Sequence, residues 1–138
     1  MSTPLSRHDK FGFSTRNSPK LYEKRQETLR DKLFPLLKES INYYLHFLKE
    51  GDDGKLHLPA TYSPEYDTVE DCNFDLALLR WGCQTLLESA HRLSIQDSLI
   101  ETWKYVLLKL TPYPTDENGL LIGKDTPYAF SHRHYSHL

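Results

Sequence analysis

The sequence predicts an all-α chain whose long loops carry its chemistry. Three observations predict this. Apolar residues recur at steps of three and four over three separate stretches, and no strand pattern alternates with them as a parallel sheet would require. The connections are longer than the roughly 2–8 residues usual in a closed helical bundle, so the loops have work of their own.

Residues 1–20 mix Ser, Pro, Gly and charge without a period and read as a loose arm. From Leu29, the residues Leu33, Leu37, Ile41, Tyr44, Leu45 and Leu48 mark a helix with one buried stripe, with Pro35 placed in its first turn. Gly51 and Gly54 are expected to end it, and a short extended piece, Lys55 to Leu58, precedes Pro59. A second helix is expected from about Phe74 to Leu93 on the stripe Leu76, Leu79, Cys83, Leu86, Ala90 and Leu93, capped by Asp71 or Asn73. Gly82 within it implies the close approach of another backbone. Ser94 and Asp97 have capping-box spacing and predict the start of a third helix, with Leu99, Trp103, Val106, Leu107 and Leu110 buried and Pro112 stopping it. Asn118-Gly119 then signals a turn or hairpin.

Composition narrows the partners. With 38% hydrophobic and 26% charged residues the chain can build a core, and a net charge of -2 gives no broad field for nucleic acid or an anionic membrane. Neutral sugars or peptides fit better. Nine Tyr, six Phe and two Trp offer flat faces for stacking on rings, a use that competes with ordinary core filling. The only cysteines, Cys72 and Cys83, suit buried thiols rather than a disulfide framework or zinc site. No apolar run reaches a membrane span, and the first residues lack a signal-peptide centre.

Two stretches carry candidate chemistry. In "HRHYSHL", residues 132–138, His132, His134 and His137 admit three readings: a metal site, a surface that hydrogen-bonds a polyhydroxylated ligand with the help of Arg133, or a satisfied structural turn. In "TYSPEYD", residues 61–67, Pro64 stiffens a turn that presents Glu65 beside Tyr62 and Tyr66. A carboxyl against aromatic faces loses solvation, so its pKa rises and it can act as a general acid. The alternative is a solvated loop glutamate, and residue type alone favours that.

The run "LPATYSPEYDTVEDCNFDLALLRWGCQTLLESA" followed by "HRHYSHL" resembles glycoside hydrolase family 95, the α-L-fucosidase-like catalytic domain, from about residue 28 onward. The shared features are an S-P-E turn, a D-x-x-hydrophobic helix start and an H-R-H-x-S-H-L motif. The resemblance implies that the helices form a hairpin segment of an (α/α)6 barrel whose loops build a sugar site at one end. It implies an inverting hydrolase in which Glu65 is the general acid and His132 and His134 bind substrate, with a second carboxylate not carried by any motif here; Arg133 and Tyr66, next to these residues, are further substrate-binding candidates. Tyr66, and "NFD" at Asn73 to Asp75, depart from the family pattern and widen the expected substrate from an α-L-fucoside to a related α-galactoside-type sugar. Asp75 is expected to cap its helix rather than touch substrate. Members of the family are often secreted or periplasmic.

On this resemblance residues 21–138 are expected to be part of a catalytic domain truncated at the C-terminus, inactive as an isolated chain. Self-association through exposed apolar faces is expected, and no metal or cofactor is. The contrasting expectation is a non-catalytic helical module that binds a carbohydrate or a protein.

Overall fold

The computed structural model describes residues 18–62 and 68–127. Helices dominate them. The first, α1 (Pro19–Thr28), starts ten residues before the apolar period does, because Ser18 caps it: the Ser18 hydroxyl accepts from the Leu21 N–H at 3.3 Å and Pro19 takes the first position. It runs through one π-helical turn, Leu29–Leu33, into α2 (Phe34–Phe47). Pro35 is therefore inside a continuous helical rod and not at its start. A proline there has no N–H and its ring crowds the carbonyl four residues back, and widening the ladder accommodates both. The Phe34 N–H accordingly reaches five residues back to the Leu29 carbonyl.

The helix ends at Phe47, before the glycines expected to stop it. Gly51 to Gly54 instead close a hairpin between β1 (Lys49–Glu50) and β2 (Leu56–His57), with Lys49 opposite His57. A second hairpin pairs β3 (Thr61–Tyr62) with β4 (Thr68–Val69) and so brackets the S-P-E segment. After it comes α3 (Asn73–Leu93), close to its predicted bounds, and then α4 (Ile100–Lys109). A third hairpin, β5 (Thr115–Asp116) with β6 (Gly119–Leu120), turns where Asn118-Gly119 signalled it.

Two capping expectations are corrected. The N-cap of α3 is Cys72, without a side-chain cap bond, because Asp71 and Asn73 are both recruited by loops. Ser94 does not begin the third helix; it takes a left-handed conformation (φ 53°) and ends α3. Asp97 holds the α3–α4 turn instead, accepting from the Leu99 N–H at 2.9 Å and from Lys38 of α2 at 2.6 Å. Burial pushes the Asp97 carboxyl up, but the Lys38 bond and the Leu99 N–H outweigh it and keep the pKa low. That turn takes up residues 94–99, a length ordinary for a bundle, so the long loops are those after α2 and after α4.

The core lies where α2, α3 and α4 meet. Every predicted stripe residue of α3 from Leu76 to Leu93 is buried, and Trp103 of α4 stands edge-on to Phe34 of α2 at 6.2 Å between ring centres. Leu37, Leu45 and Leu107 pack against this cluster at its margin, whereas Leu33 is half exposed. Gly82 does mark a close approach, though by a side chain and not a backbone: a Cβ there would collide with Ile41 of α2. Cys72 and Cys83 are both buried, and desolvation pushes the Cys83 thiol up to about 11, which keeps it protonated and unreactive. No helix among the described residues is long and apolar enough to cross a membrane.

Candidate active site

Glu65 and Tyr66, and His132, Arg133 and His134 with His137, lie outside the described residues. The structure does describe both flanks of the S-P-E segment and, as far as residue 127, the chain that precedes the histidine motif. Here the two long loops are bolted together at one end of the helices.

The bolt begins just after the S-P-E segment. Val69 of β4, Cys72 and Ile122 form a small apolar cluster with Phe74 packed against it. The Lys124 N–H donates to the Glu70 carbonyl at 2.8 Å, and the Asn73 N–H donates to the Ile122 carbonyl at 2.8 Å. The Asn73 side-chain amide donates to the Leu121 carbonyl at 2.8 Å, which is why it cannot cap its helix. Gly123 fits because it has no side chain: a Cβ would stand 2.7 Å from the Glu70 carbonyl oxygen and 2.9 Å from Val69 Cβ. Residue 124 is thus fixed to residue 70, close in sequence to both motifs.

A second link ties the first hairpin to the same region. The Thr111 N–H donates to the Leu56 carbonyl at 2.9 Å, and Arg80 of α3 donates to the Thr111 carbonyl at 2.8 Å with its guanidinium over Tyr113. His57 of β2 lies between two carboxylates, its Nδ1 2.7 Å from buried Asp71 and its Nε2 3.0 Å from Asp53 in the hairpin turn. Asp71 also accepts from the Leu58 N–H at 2.8 Å. The Asp71 bond raises the His57 pKa, burial opposes that rise, and Asp53 adds to it. With a carboxylate at each ring nitrogen, His57 clamps Asp53 to Asp71, and its raised pKa favours the protonated ring that can donate to both.

The clamp has a pH signature. A raised folded pKa means that its stabilisation is complete below the unfolded histidine value of about 6.5 and is lost as pH rises through the folded value. Thermal midpoints of the wild type are expected to fall over that alkaline-going interval, and those of His57→Gln to lack that component. Superimposable pH profiles would remove the clamp.

The third feature is Asp75, in the first turn of α3 and only 5% exposed. It neither caps its helix nor faces solvent. Its oxygens accept from the Tyr44 hydroxyl at 2.8 Å and the Thr61 hydroxyl at 2.6 Å, joining α2, α3 and the strand that leads into the S-P-E segment. Burial first, and then the hydrogen bond to Asp75, drive the Tyr44 phenol pKa upward, so it remains a donor at neutral pH. Sequence reasoning took Asp71 and Asp75 as helix caps and Tyr44 as a stripe residue, and it did not foresee the His57–Asp71 pair or the Tyr44–Asp75–Thr61 set. Single polar residues thirteen to thirty-one positions apart form no local pattern.

The mostly helical scaffold, with polar loops gathered at one end, is a common way to build a binding or catalytic cleft. Compared with known families, residues 20–138 match the glycosyl hydrolase family 95 catalytic domain, a span that takes in both motifs and all three hairpins. That match puts the chain in a carbohydrate-cleaving class of enzymes. The chain belongs to glycosyl hydrolase family 95. No curated protein matches it.

Proposed function

We propose that the domain takes part in inverting hydrolysis of an α-L-fucoside or a related α-galactoside-type sugar, with its helices forming a hairpin segment of an (α/α)6 barrel. Glu65 protonates the departing glycosidic oxygen while a second carboxylate, roughly 6.5–9.5 Å away across the sugar, activates water. His132, Arg133 and His134 hold the sugar's hydroxyls, and Tyr66 contributes a further contact to the substrate.

The bond between Lys124 and Glu70, with Gly123 seated on Val69, carries this reading, because it anchors the chain entering the histidine motif beside the chain leaving the S-P-E segment. Tyr62 and Thr68 pair across the hairpin, and Glu65 is the third of the five residues between them in the sequence.

The test is a graft of residues 20–138 in place of the matching segment of an active family member. Turnover is expected, and Glu65→Gln in the graft should lower kcat by about 10²–10⁴-fold on substrates with poor leaving groups while sparing activated ones, since the amide keeps the shape but delivers no proton. An active graft indifferent to Glu65→Gln overturns the assignment.

A further inference from the structure

The turn "GDDG", residues 51–54, closes the first hairpin, and through His57 its tip is tied to the residue two positions before α3. We infer that His57 is a proton-operated latch: with both ring nitrogens protonated it holds the hairpin tip to Asp71, and with one proton it lets the tip go while Asp71 stays in place. The latch is made of Gly51, Asp53, His57 and Asp71 and does not depend on which residue serves as the general acid.

The ring has a built seat. Gly51 does not take the left-handed conformation that Gly54 does (φ 70°), so what its missing side chain supplies is room: a Cβ there would stand 2.9 Å from His57 Cδ2 and 3.1 Å from Nε2. Nδ1 lies 2.7 Å from Asp71 Oδ2, and Nε2 lies 3.0 and 3.1 Å from the two Asp53 oxygens. Asp71 is fixed without the ring as well, because it turns the chain in a left-handed conformation (φ 48°) and both its N–H and its other carboxylate oxygen bond Leu58. Of the other charges nearby, Lys49 stands opposite His57 across the strands and, like Glu50, Asp52 and Lys55, is exposed. Glu70 pairs with Lys124 at 3.6 Å, and Asp75 is engaged by Tyr44 and Thr61. Among the described residues, Asp53 and Asp71 are thus the charges that hydrogen-bond the ring.

Losing one proton cannot affect the two carboxylates equally. A neutral imidazole keeps one N–H and turns a lone pair to its other partner. The Asp71 side chain is 6% exposed and that of Asp53 is 49% exposed, and a buried carboxylate left without its donor costs far more than one that water can solvate. The proton therefore stays on Nδ1, and the Nε2 lone pair meets the Asp53 carboxylate, acceptor against acceptor, at 3.0 Å. Asp53 keeps the Lys55 N–H at 3.0 Å inside the turn, so the tip moves as a unit and does not unravel. Asp71 first, and Asp53 after it, favour the doubly protonated ring against burial, which puts the change above the ordinary histidine value of about 6.5. The base of the hairpin is held elsewhere, where the Leu56 carbonyl accepts from the Thr111 N–H at 2.9 Å. Acid thus stiffens the loop end of the domain, and alkali frees one hairpin tip of it.

The experiment follows the full 138-residue chain by NMR from about pH 5 to 9, reading the His57 ring and the amide-exchange protection of Gly51, Gly54 and Leu58, each corrected for its intrinsic exchange rate. The Gly51 and Gly54 N–H groups, which bond the Lys55 and Gly51 carbonyls, are expected to lose about tenfold in protection as His57 titrates, while Leu58, bonded to Asp71, keeps its own. In Asp53→Asn the side-chain amide can donate to a neutral Nε2 and accept from a protonated one, so the tip should stay held across the whole range and the pH step should vanish. A purely structural histidine would give no such rescue. No step at Gly51 and Gly54 coincident with the His57 titration, a step of equal size at Leu58, or a step that survives Asp53→Asn overturns the latch.

Discussion

Trp103→Ala is expected to cost about 3–5 kcal/mol and to lower the thermal midpoint by roughly 10–20 °C. Trp103 is fully buried, stands edge-on to Phe34, and belongs to the one cluster in which α2, α3 and α4 all take part. Removing the indole leaves a cavity walled by three helices that are packed on other contacts and cannot collapse to fill it. Domains of this size are stable by only about 5–15 kcal/mol, so the loss is a large share of the whole. Trp103→Phe is the control. The indole N–H has no hydrogen-bond partner among the described residues, so phenylalanine removes a buried donor while keeping most of the ring and should cost much less. Urea unfolding followed by circular dichroism measures both; equal losses would show that the indole nitrogen is satisfied by a group outside the described residues.

Gly123→Val should do the reverse, leaving the helices standing and disabling the site. A valine Cβ would have to occupy space next to the Glu70 carbonyl and Val69, and backbone cannot step aside as a flexible side chain does. Overpacking of this kind costs about 1–3 kcal/mol, and displacing residues 121–124 relieves it most cheaply. Displacement breaks the Lys124 and Asn73 bonds and moves the chain entering the histidine motif away from the S-P-E hairpin. A misplacement of about 1 Å can reduce catalysis by 10²-fold, so kcat/KM in the grafted enzyme should drop by about that factor with unchanged helix content. Activity within twofold of the parent would mean that the bolt positions nothing that matters to the reaction.

What the sequence made legible follows from the range of each signal. The α3 stripe from Leu76 to Leu93 and the Asn118-Gly119 turn depend on neighbours within one or two turns of chain, and both were read correctly. The start of the first helix was misplaced because Ser18-Pro19 opens a helix with no buried residue, which gives the apolar period nothing to report. Asp71, Asn73, Asp97 and Ser94 were misread for a different reason. Their side chains satisfy the local rule for capping, but His57, Leu121 and Lys38, distant in sequence, compete for them, and Ser94 closes one helix where the spacing suggested it opened the next. The two motifs could be quoted from the sequence, yet the contact between their flanks could not, because the backbone bond between residues 70 and 124 carries no residue-type signature and their exposed ion pair, at 3.6 Å, joins two common charges far apart in the chain.

The π-helical turn at Leu29–Leu33 also sets how this rod can vary in length. One residue more than an α-helix would use is stored there, so a single deletion within it would rotate everything before it by about 100°, at the cost of bringing the Pro35 ring back against the carbonyl four residues before it. For most helices a change of phase of that size would turn a buried face to water. Here α1 has no buried residue, and its aromatic contact with the rest of the chain is Tyr22 beneath the Arg92 guanidinium at 6.0 Å. The start of the rod is thus decoupled in phase from α2, and single-residue insertions or deletions between Thr28 and Phe34 would leave the α2–α3–α4 core and the loops it carries in register.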